Sequence, residues 1–428
     1  MDTPPRLAVD RLLDDRETRI IVCCGAGGVG KTTTAAALGV RAAGRGRKAV
    51  VLTIDPARRL AQSMGIDSLD NTPRKVGTVG AGGGELHAMM LDMKRTFDEI
   101  VEAHADGERA RAILANPFYQ SLSAGFAGTQ EYMAMEKLGQ LRARDDWDLI
   151  IVDTPPSRSA LDFLDAPKRL GSFLDGKFIR VLMAPAKVGG RAGMKFLNVG
   201  MSMMTGTLSK LMGASLLKDV QTFVAAMDTM FGGFRTRADA TFRLLQAPGT
   251  AFLVVAAPEP DALREAAYFV ERLAAERMPL AGLVLNRVHG SGADQLSAER
   301  ALAAAENLEE GGIVDQESGK AGLRDSGSEP TEPTEPAATT RTANPPETGS
   351  PGTEGDTAVV DRITAGLLRL HAERMQVIAR EQRTRDRFTS LHPEVAVAEV
   401  TALPGDVHDL AGLRAIGERL AAGVPAGA

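Results

Sequence analysis

The 428-residue sequence contains little cysteine and few aromatic residues. Its two cysteines, Cys23 and Cys24, are adjacent, so they provide neither a disulfide framework nor a four-ligand zinc site. Aromatic residues make up 4% of the chain, which is too few for a base-stacking surface. The net charge of -5 argues against a strongly basic domain. We therefore expect no nucleic-acid partner.

Long hydrophobic runs are also missing. No run reaches the roughly 18 apolar residues that a membrane-spanning helix needs. The first 19 residues carry charges throughout and lack the apolar stretch of a secretory signal. These features predict a cytoplasmic protein, which would be peripheral to a membrane only through a partner.

Short apolar runs alternate with helical stretches along most of the chain. This alternation is typical of an α/β fold with a doubly wound, mostly parallel sheet. The predicted strands cover 19–24, 49–54, 147–152, 252–256, 283–285 and 395–400. The predicted helices include 32–43, 411–422 and an amphipathic helix over 359–387, whose apolar side carries Val360, Ile363, Leu367, Leu370 and Met375.

Two insertions interrupt this pattern. Residues 168–246 show no clear strand and contain eight of the 17 methionines, so we predict an inserted helical subdomain. Residues 307–357 include EPTEPTEP and six prolines, and we predict a disordered acidic linker. The remaining ranges, 1–167, 247–306 and 358–428, are then three parts of one core domain.

Charge supports this interpretation of the linker. Between Glu309 and Asp356 there are 11 acidic and 3 basic residues, a net charge of -8, so the rest of the chain carries +3. An acidic stretch with so few large apolar residues cannot bury enough surface to offset its ordering entropy. We interpret it as a solvated tether rather than a specific binding site.

Residues 25–32 read GAGGVGKT and fit the phosphate-binding pattern G-x-x-x-x-G-K-[ST]. Glycines let the backbone aim N–H groups at phosphates, and the following helix adds its positive N-terminal dipole. The lysine reaches the β- and γ-phosphates, while the threonine hydroxyl binds Mg²⁺. The candidate nucleotide-binding residues are Gly25, Gly27, Gly28, Val29, Gly30, Lys31, Thr32 and Thr33.

This turn permits two other interpretations. The same residues also satisfy G-x-G-x-x-G, a dinucleotide fingerprint in which Asp55 would hold a ribose. That pattern gives no reason for Lys31 and Thr32 directly after the third glycine, which is why we favour the phosphate loop. The plain alternative is a glycine turn without a ligand.

Two acidic residues follow predicted strands. Asp153 comes directly after the apolar run LIIV, where a carboxylate can organise Mg²⁺ and its waters. Asp55 comes at the end of the predicted strand 49–54, within TIDPARR. Acids at strand ends beside a phosphate cradle suit a metal-bound phosphate and a positioned water, although Asp153 could instead cap a helix.

Motifs over most of the chain resemble the ArsA-type ATPases, the arsenite-pump and tail-anchored-protein-targeting ATPases, and within them an actinobacterial anion-transporter paralogue. They read GAGGVGKTT, TIDPARRLAQ, DLIIVDTPPSRSALDFL, APEPDALREA, LVLNRV and ALPGDVHDLAGL. The resemblance implies a P-loop NTPase fold of the deviant Walker A class. It also implies ATP and Mg²⁺ as cofactors, hydrolysis of ATP, and a dimer with nucleotide at its interface.

The resemblance also implies residue roles. Lys31 would be catalytic and Thr32 would ligate Mg²⁺, with Asp55 of switch I and Asp153 of switch II as the other metal-associated residues. Asp55 would orient or deprotonate the attacking water. Asn286 and Pro404 would contact the adenine.

This chain departs from the family pattern in three places. Ala26 stands where the family has a lysine that reaches the partner's phosphates, so we hypothesise a heterodimer with a paralogous subunit, or else a homodimer. The C-x-x-C zinc clasp of the targeting factors is absent. Cys23 and Cys24 are better interpreted as core residues than as an arsenite site.

The methionine-rich insertion permits two interpretations. It lies where targeting relatives form a groove for a client's membrane helix, and methionine suits such an adaptable surface. The same residues could equally be core. The whole chain would couple ATP hydrolysis to a membrane-protein client or transporter. The alternatives are a positioning switch like MinD and ParA, or a catalytically weak regulatory subunit.

Overall fold

The computed structural model describes residues 5–55, 59–77, 82–123, 129–155, 233, 236–318 and 353–422. Most of the predicted insertion at 168–246, and residues 319–352 of the predicted linker, lie outside these ranges. The described chain forms two compact units. One contains the residues up to Val288 together with those from Arg383 onward, and the other contains His289–Gln382.

The first unit is built on an eight-stranded sheet with the order β3-β4-β2-β5-β1-β6-β7-β8. Every neighbouring pair is parallel except β3 and β4, which confirms the predicted doubly wound α/β fold. The strands are β1 Ile20–Cys24, β2 Lys48–Thr53, β3 Arg74–Lys75, β4 Glu85–Met90, β5 Leu149–Asp153, β6 Thr250–Ala256, β7 Leu280–Val288 and β8 Val397–Thr401.

Helices precede, connect and follow these strands. None in the described ranges is long and apolar enough to cross a membrane. They are α1 Val9–Asp14, α2 Lys31–Gly44, α3 Arg59–Ser63, α4 Met93–His104, α5 Gly107–Leu114, α6 Pro117–Ser123, α7 Thr129–Arg144, α8 236–246, α9 Pro260–Ala275, α10 Ala298–Ser318, α11 Thr353–Leu391 and α12 Leu410–Ala422.

The central strands are mostly apolar because both faces of the sheet are covered. In β1, Ile20 and Val22 belong to one buried cluster, whereas Ile21 and Cys23 belong to a second cluster on the other face. Successive side chains of a strand point to opposite faces, so a strand buried on both sides is apolar at most positions. This arrangement places the carboxyl ends of β1, β2 and β5 side by side.

Three features differ from the sequence predictions. Strands β3 and β4 were not predicted, since β3 has two residues and β4, ELHAMM, mixes polar with apolar residues. Helices α10 and α11 extend into the predicted linker, which placed disorder at 307–318 and 353–357. The linker prediction was too wide at both ends because composition does not locate a helix terminus.

The third difference concerns α11. Its predicted apolar side is exposed, with Ile363 58% and Leu370 63% accessible. The buried positions of its described part are instead Ala365, Ala372, Ile378 and Phe388. Small side chains allow close approach of a neighbouring helix, and periodicity alone cannot tell which of two apolar faces packs.

Candidate nucleotide-binding site

The phosphate loop joins β1 to α2 through glycines with positive φ angles. Gly28 and Gly30 have φ angles of 76° and 95°, in the left-handed region that favours glycine. A Cβ on Gly25 would lie 2.0 Å from the carbonyl oxygen of Val255. Gly30 is the N-cap of α2 and supplies no side-chain cap. The first N–H groups of α2 are therefore available to an anion.

Lys31 is buried at the start of α2. Its Nζ donates a hydrogen bond of 2.7 Å to the carbonyl oxygen of Ala26 in the same loop. Burial lowers the pKa of Lys31, and the charge of Asp153 acts in the opposite direction. The ammonium is thus held over the loop by a main-chain carbonyl.

Asp153, the last residue of β5, is fully buried. Its Oδ2 accepts hydrogen bonds from the hydroxyls of Thr32, at 2.7 Å, and Thr53, at 2.9 Å. Its Oδ1 has no hydrogen-bond partner in the described part of the chain. Burial raises the pKa of Asp153 to about 6, and the two hydroxyl hydrogen bonds oppose that rise.

Asp55 follows β2 and is half-buried. Its backbone N–H donates to Oγ1 of Thr53 at 3.2 Å, and the same hydroxyl donates to Asp153. Thr53 therefore connects the two acidic residues that the sequence analysis selected. Sequence reasoning missed Thr53, which ends β2 two residues before Asp55.

A cavity of about 780 Å³ opens at the phosphate loop. It brings together Lys31, Thr32 and Asp55 with residues that sequence reasoning did not select. Its full lining consists of Gly28, Gly30, Lys31, Thr32, Thr33, Asp55, Gln62, Ser63, Thr154, Arg287, Asp406, Val407 and His408. The loop 406–408 lies two residues beyond Pro404, which is not itself among the lining residues.

Asn286 supports the phosphate loop. Its Nδ2 donates to the carbonyl oxygen of Val29 at 2.9 Å, and a Cβ on Gly30 would lie 2.2 Å from that nitrogen. Asn286 is buried. Its amide nitrogen thus has a partner in the loop. The contact of its side chain with adenine stays a prediction.

Cys23 and Cys24 are buried in β1, as expected for core residues. Burial raises the pKa of Cys24 to about 12. A thiol kept protonated in this way is a poor metal ligand and a poor nucleophile.

Thr32 and Asp153 have the donor chemistry for Mg²⁺. The described residues contain no cluster of three or more histidine, cysteine, aspartate or glutamate side chains that could hold a metal ion alone. Mg²⁺ bound with a nucleotide needs only one or two protein oxygens, since phosphates and waters complete its shell. The unpaired Oδ1 of Asp153 and the adjacent Thr32 hydroxyl meet that requirement.

The comparisons with known proteins agree with this geometry. The profile of the anion-transporting ATPase family matches residues 18–310. The ATPase GET3 of Podospora anserina is 26% identical over 298 residues, covering 68% of this chain and 80% of that protein. The ATPase GET3 of Malassezia globosa is 30% identical over 167 residues, covering 39% of this chain and 47% of that protein.

A bacterial relative covers a shorter stretch. Protein Rv2184c of Mycobacterium tuberculosis is 32% identical over 168 residues, which is 37% of this chain and 40% of that protein. The chain thus spans under half of two of these relatives and four fifths of the third. Because the family profile covers well over half of the sequence, the chain belongs to the anion-transporting ATPase family, and it is an ATP hydrolase.

Proposed function

We propose that this protein is a Mg²⁺-dependent ATPase whose nucleotide cycle opens and closes a dimer, and that this motion is coupled to a membrane-protein client or transporter. One observation supports the proposal above all others. A buried carboxylate with an unpaired oxygen, Asp153, adjoins the Thr32 hydroxyl and Lys31 at the mouth of a phosphate loop.

The residues divide the chemistry among themselves. The α2 amides bind the phosphates, and Lys31 exchanges the Ala26 carbonyl for a phosphate oxygen. Thr32 and Asp153 would hold Mg²⁺, which neutralises the charge on the β- and γ-phosphates. Asp55 lines the same cavity and would orient the attacking water.

The dimer we propose is heteromeric. Ala26 is buried and cannot supply the cation that the family's lysine carries to a partner's phosphates. A paralogous subunit that retains this lysine would complete the site in this chain. Affinity purification of the tagged chain from its native cells should recover such a subunit. Recovery of a pure, fully active homodimer would contradict the heteromeric arrangement.

The client proposal rests on the family resemblance and on the composition of the methionine-rich segment, which lies outside the described residues. Photo-crosslinkers at Met201 and Met204 should capture an apolar membrane-protein helix in a nucleotide-dependent manner. A matched crosslinker at the exposed position Glu271 should not capture it. Absence of nucleotide-dependent crosslinks at both methionines would favour a core role for the segment.

Ala26 also favours a second candidate, a subunit that binds ATP and hydrolyses it only slowly. Single-turnover hydrolysis by the chain, alone and with the paralogous subunit, separates the two candidates. The heteromeric enzyme releases phosphate from its bound ATP rapidly once the paralogous subunit is added, whereas a regulatory subunit hydrolyses its own ATP slowly with or without that subunit. The variant Lys31→Ala is the control for contaminating activity.

A further inference from the structure

Arg287 is the extra residue of a β-bulge. Along β7, Asn286 pairs with Val400 and Val288 pairs with Thr401, so two steps on β7 match one on β8. Arg287 has no partner in the ladder and adopts a φ of 62°. A bulge redirects a side chain that would otherwise follow the alternation of the strand, and bulges are frequent beside functional sites.

Both neighbours of Arg287 are fixed, which holds it in this conformation. The Asn286 side chain donates to the phosphate loop, and the carbonyl of Val288 accepts from the N–H of Ala402 at 2.9 Å. A left-handed conformation at a residue other than glycine is strained. Such strain persists where the surroundings impose it, and it is concentrated at binding sites.

The Arg287 side chain is exposed and lines the same cavity as Lys31 and Thr32. It has no hydrogen bond or ion pair to any other residue in the described ranges. Other arginines of this unit are well paired, such as Arg41 with Asp10 at 2.5 Å. The guanidinium of Arg287 is thus free to contact a ligand in the cavity.

We propose that Arg287 determines nucleotide affinity by packing its planar guanidinium against the face of the ATP base. The inference rests on the proposed binding of ATP by this cavity. Guanidinium groups stack on aromatic faces through cation–π and planar contacts, and a lysine ammonium cannot reproduce the planar part.

The charges around the cavity indicate that Arg287 contacts the base of ATP and not its phosphates. The phosphates already have Lys31 and the α2 amides. Arg287 lies on β7 and the loop 406–408 follows the neighbouring strand β8, so both belong to the β7–β8 side of the sheet, where Asp406 joins Arg287 in the cavity lining. A carboxylate repels a triphosphate but tolerates a neutral base and ribose hydroxyls, so this side suits the nucleoside.

The test compares ATP with inorganic tripolyphosphate, which lacks the nucleoside, by calorimetric titration in the presence of Mg²⁺. The variants are Arg287→Gly, Arg287→Asn and Arg287→Lys. Arg277→Gly is the matched control, because Arg277 is also an exposed arginine with a positive φ, 54°, and does not line the cavity.

We expect Arg287→Gly and Arg277→Gly to raise the thermal midpoint of the ligand-free protein alike, because both relieve a strained backbone. Only Arg287→Gly and Arg287→Asn should lower the affinity for ATP, by about tenfold, while the affinity for tripolyphosphate stays unchanged. Arg287→Lys should not restore ATP affinity.

Unchanged ATP affinity in the Arg287 variants would overturn the inference. The inference would also be overturned if Arg287→Gly lost equal affinity for ATP and for tripolyphosphate and Arg287→Lys kept both affinities. Arg287 would then bind phosphate. If the unaltered protein bound no ATP, the proposed function itself would fail, and this result is distinguishable from the other two.

Discussion

At the scale of single residues, one hydroxyl organises the site. Thr53 Oγ1 donates to Asp153 and accepts from the N–H of Asp55, so the two acids are connected through one atom. The sequence identified both carboxylates because each follows an apolar run. It could not identify the hydroxyl between them, since threonine is common in strands and its partner Asp153 lies 100 residues away.

Replacing Thr53 with valine should destabilise the protein by about 2 kcal/mol, because a buried carboxylate loses one of its two hydroxyl donors. Urea unfolding of the ligand-free protein measures this change. Thr53→Ser keeps the hydroxyl and should recover most of the loss. If Thr53→Val were as stable as the unaltered protein, the hydrogen bond to Asp153 would not form.

Arg47 provides a prediction that concerns folding only. Its guanidinium is fully buried and donates to four main-chain carbonyls at 2.6–3.0 Å, those of Leu13, Asp15, Thr18 and Asp148. Lysine cannot reach four acceptors from one ammonium, so Arg47→Lys should cost about 3 kcal/mol in unfolding free energy.

Calorimetric unfolding compares this variant with Arg45→Lys, which changes a more exposed arginine two residues earlier and should have little effect. Equal midpoints for the two variants would show that the buried carbonyl contacts contribute nothing.

At the scale of elements, apolar runs predicted the central strands because those strands are buried on both faces. Strands β3 and β4 were not predicted because β3 has only two residues and β4 mixes polar residues such as Glu85 and His87 with apolar ones. The phosphate loop was found since its glycines and Lys31 lie within eight consecutive residues. The bulge at Arg287 could not be found, because it depends on the register between β7 and β8.

The stability of the protein should depend on pH through His87, which lies on β4 beside the edge strand β3. The rings of His87, on β4, and Trp147 lie 4.7 Å apart, and Lys48 Nζ lies 5.1 Å from the centre of the same Trp147 ring. Burial is the main cause that lowers the pKa of His87 below its usual 6.5. The charge of Glu85 opposes this shift, and Lys48 and Lys75 act in the same direction as burial.

A lowered pKa means that the unfolded chain takes up the proton more readily than the folded protein. The stability that neutral His87 permits is therefore complete above pH 6.5 and declines as the pH falls through that value. Urea unfolding between about pH 7.5 and about pH 5.5 should show this decline, and His87→Phe should reduce it. An identical pH dependence in both proteins would contradict the assignment.

At the scale of the whole molecule, the substitution at Ala26 has the largest functional consequence we expect. Introducing the missing cation with Ala26→Lys should let the isolated chain form a competent homodimer. We expect its steady-state hydrolysis rate to rise by about tenfold or more, as happens when a cation completes a phosphoryl-transfer site.

The double variant Ala26→Lys with Lys31→Ala is the control, and it should lose this gain. A rate unchanged by Ala26→Lys would mean that the alanine is not what limits the isolated chain, and the argument for an unequal partner would lose its basis.

The central claim, that the loop after β1 grips a magnesium-bound triphosphate, is tested most directly by titrating the protein with a fluorescent ATP analogue and Mg²⁺. We expect saturable binding that Lys31→Ala weakens strongly and that Lys94→Ala, at an exposed lysine of α4, leaves intact. Equally weak binding by the unaltered protein and by Lys31→Ala would contradict the account.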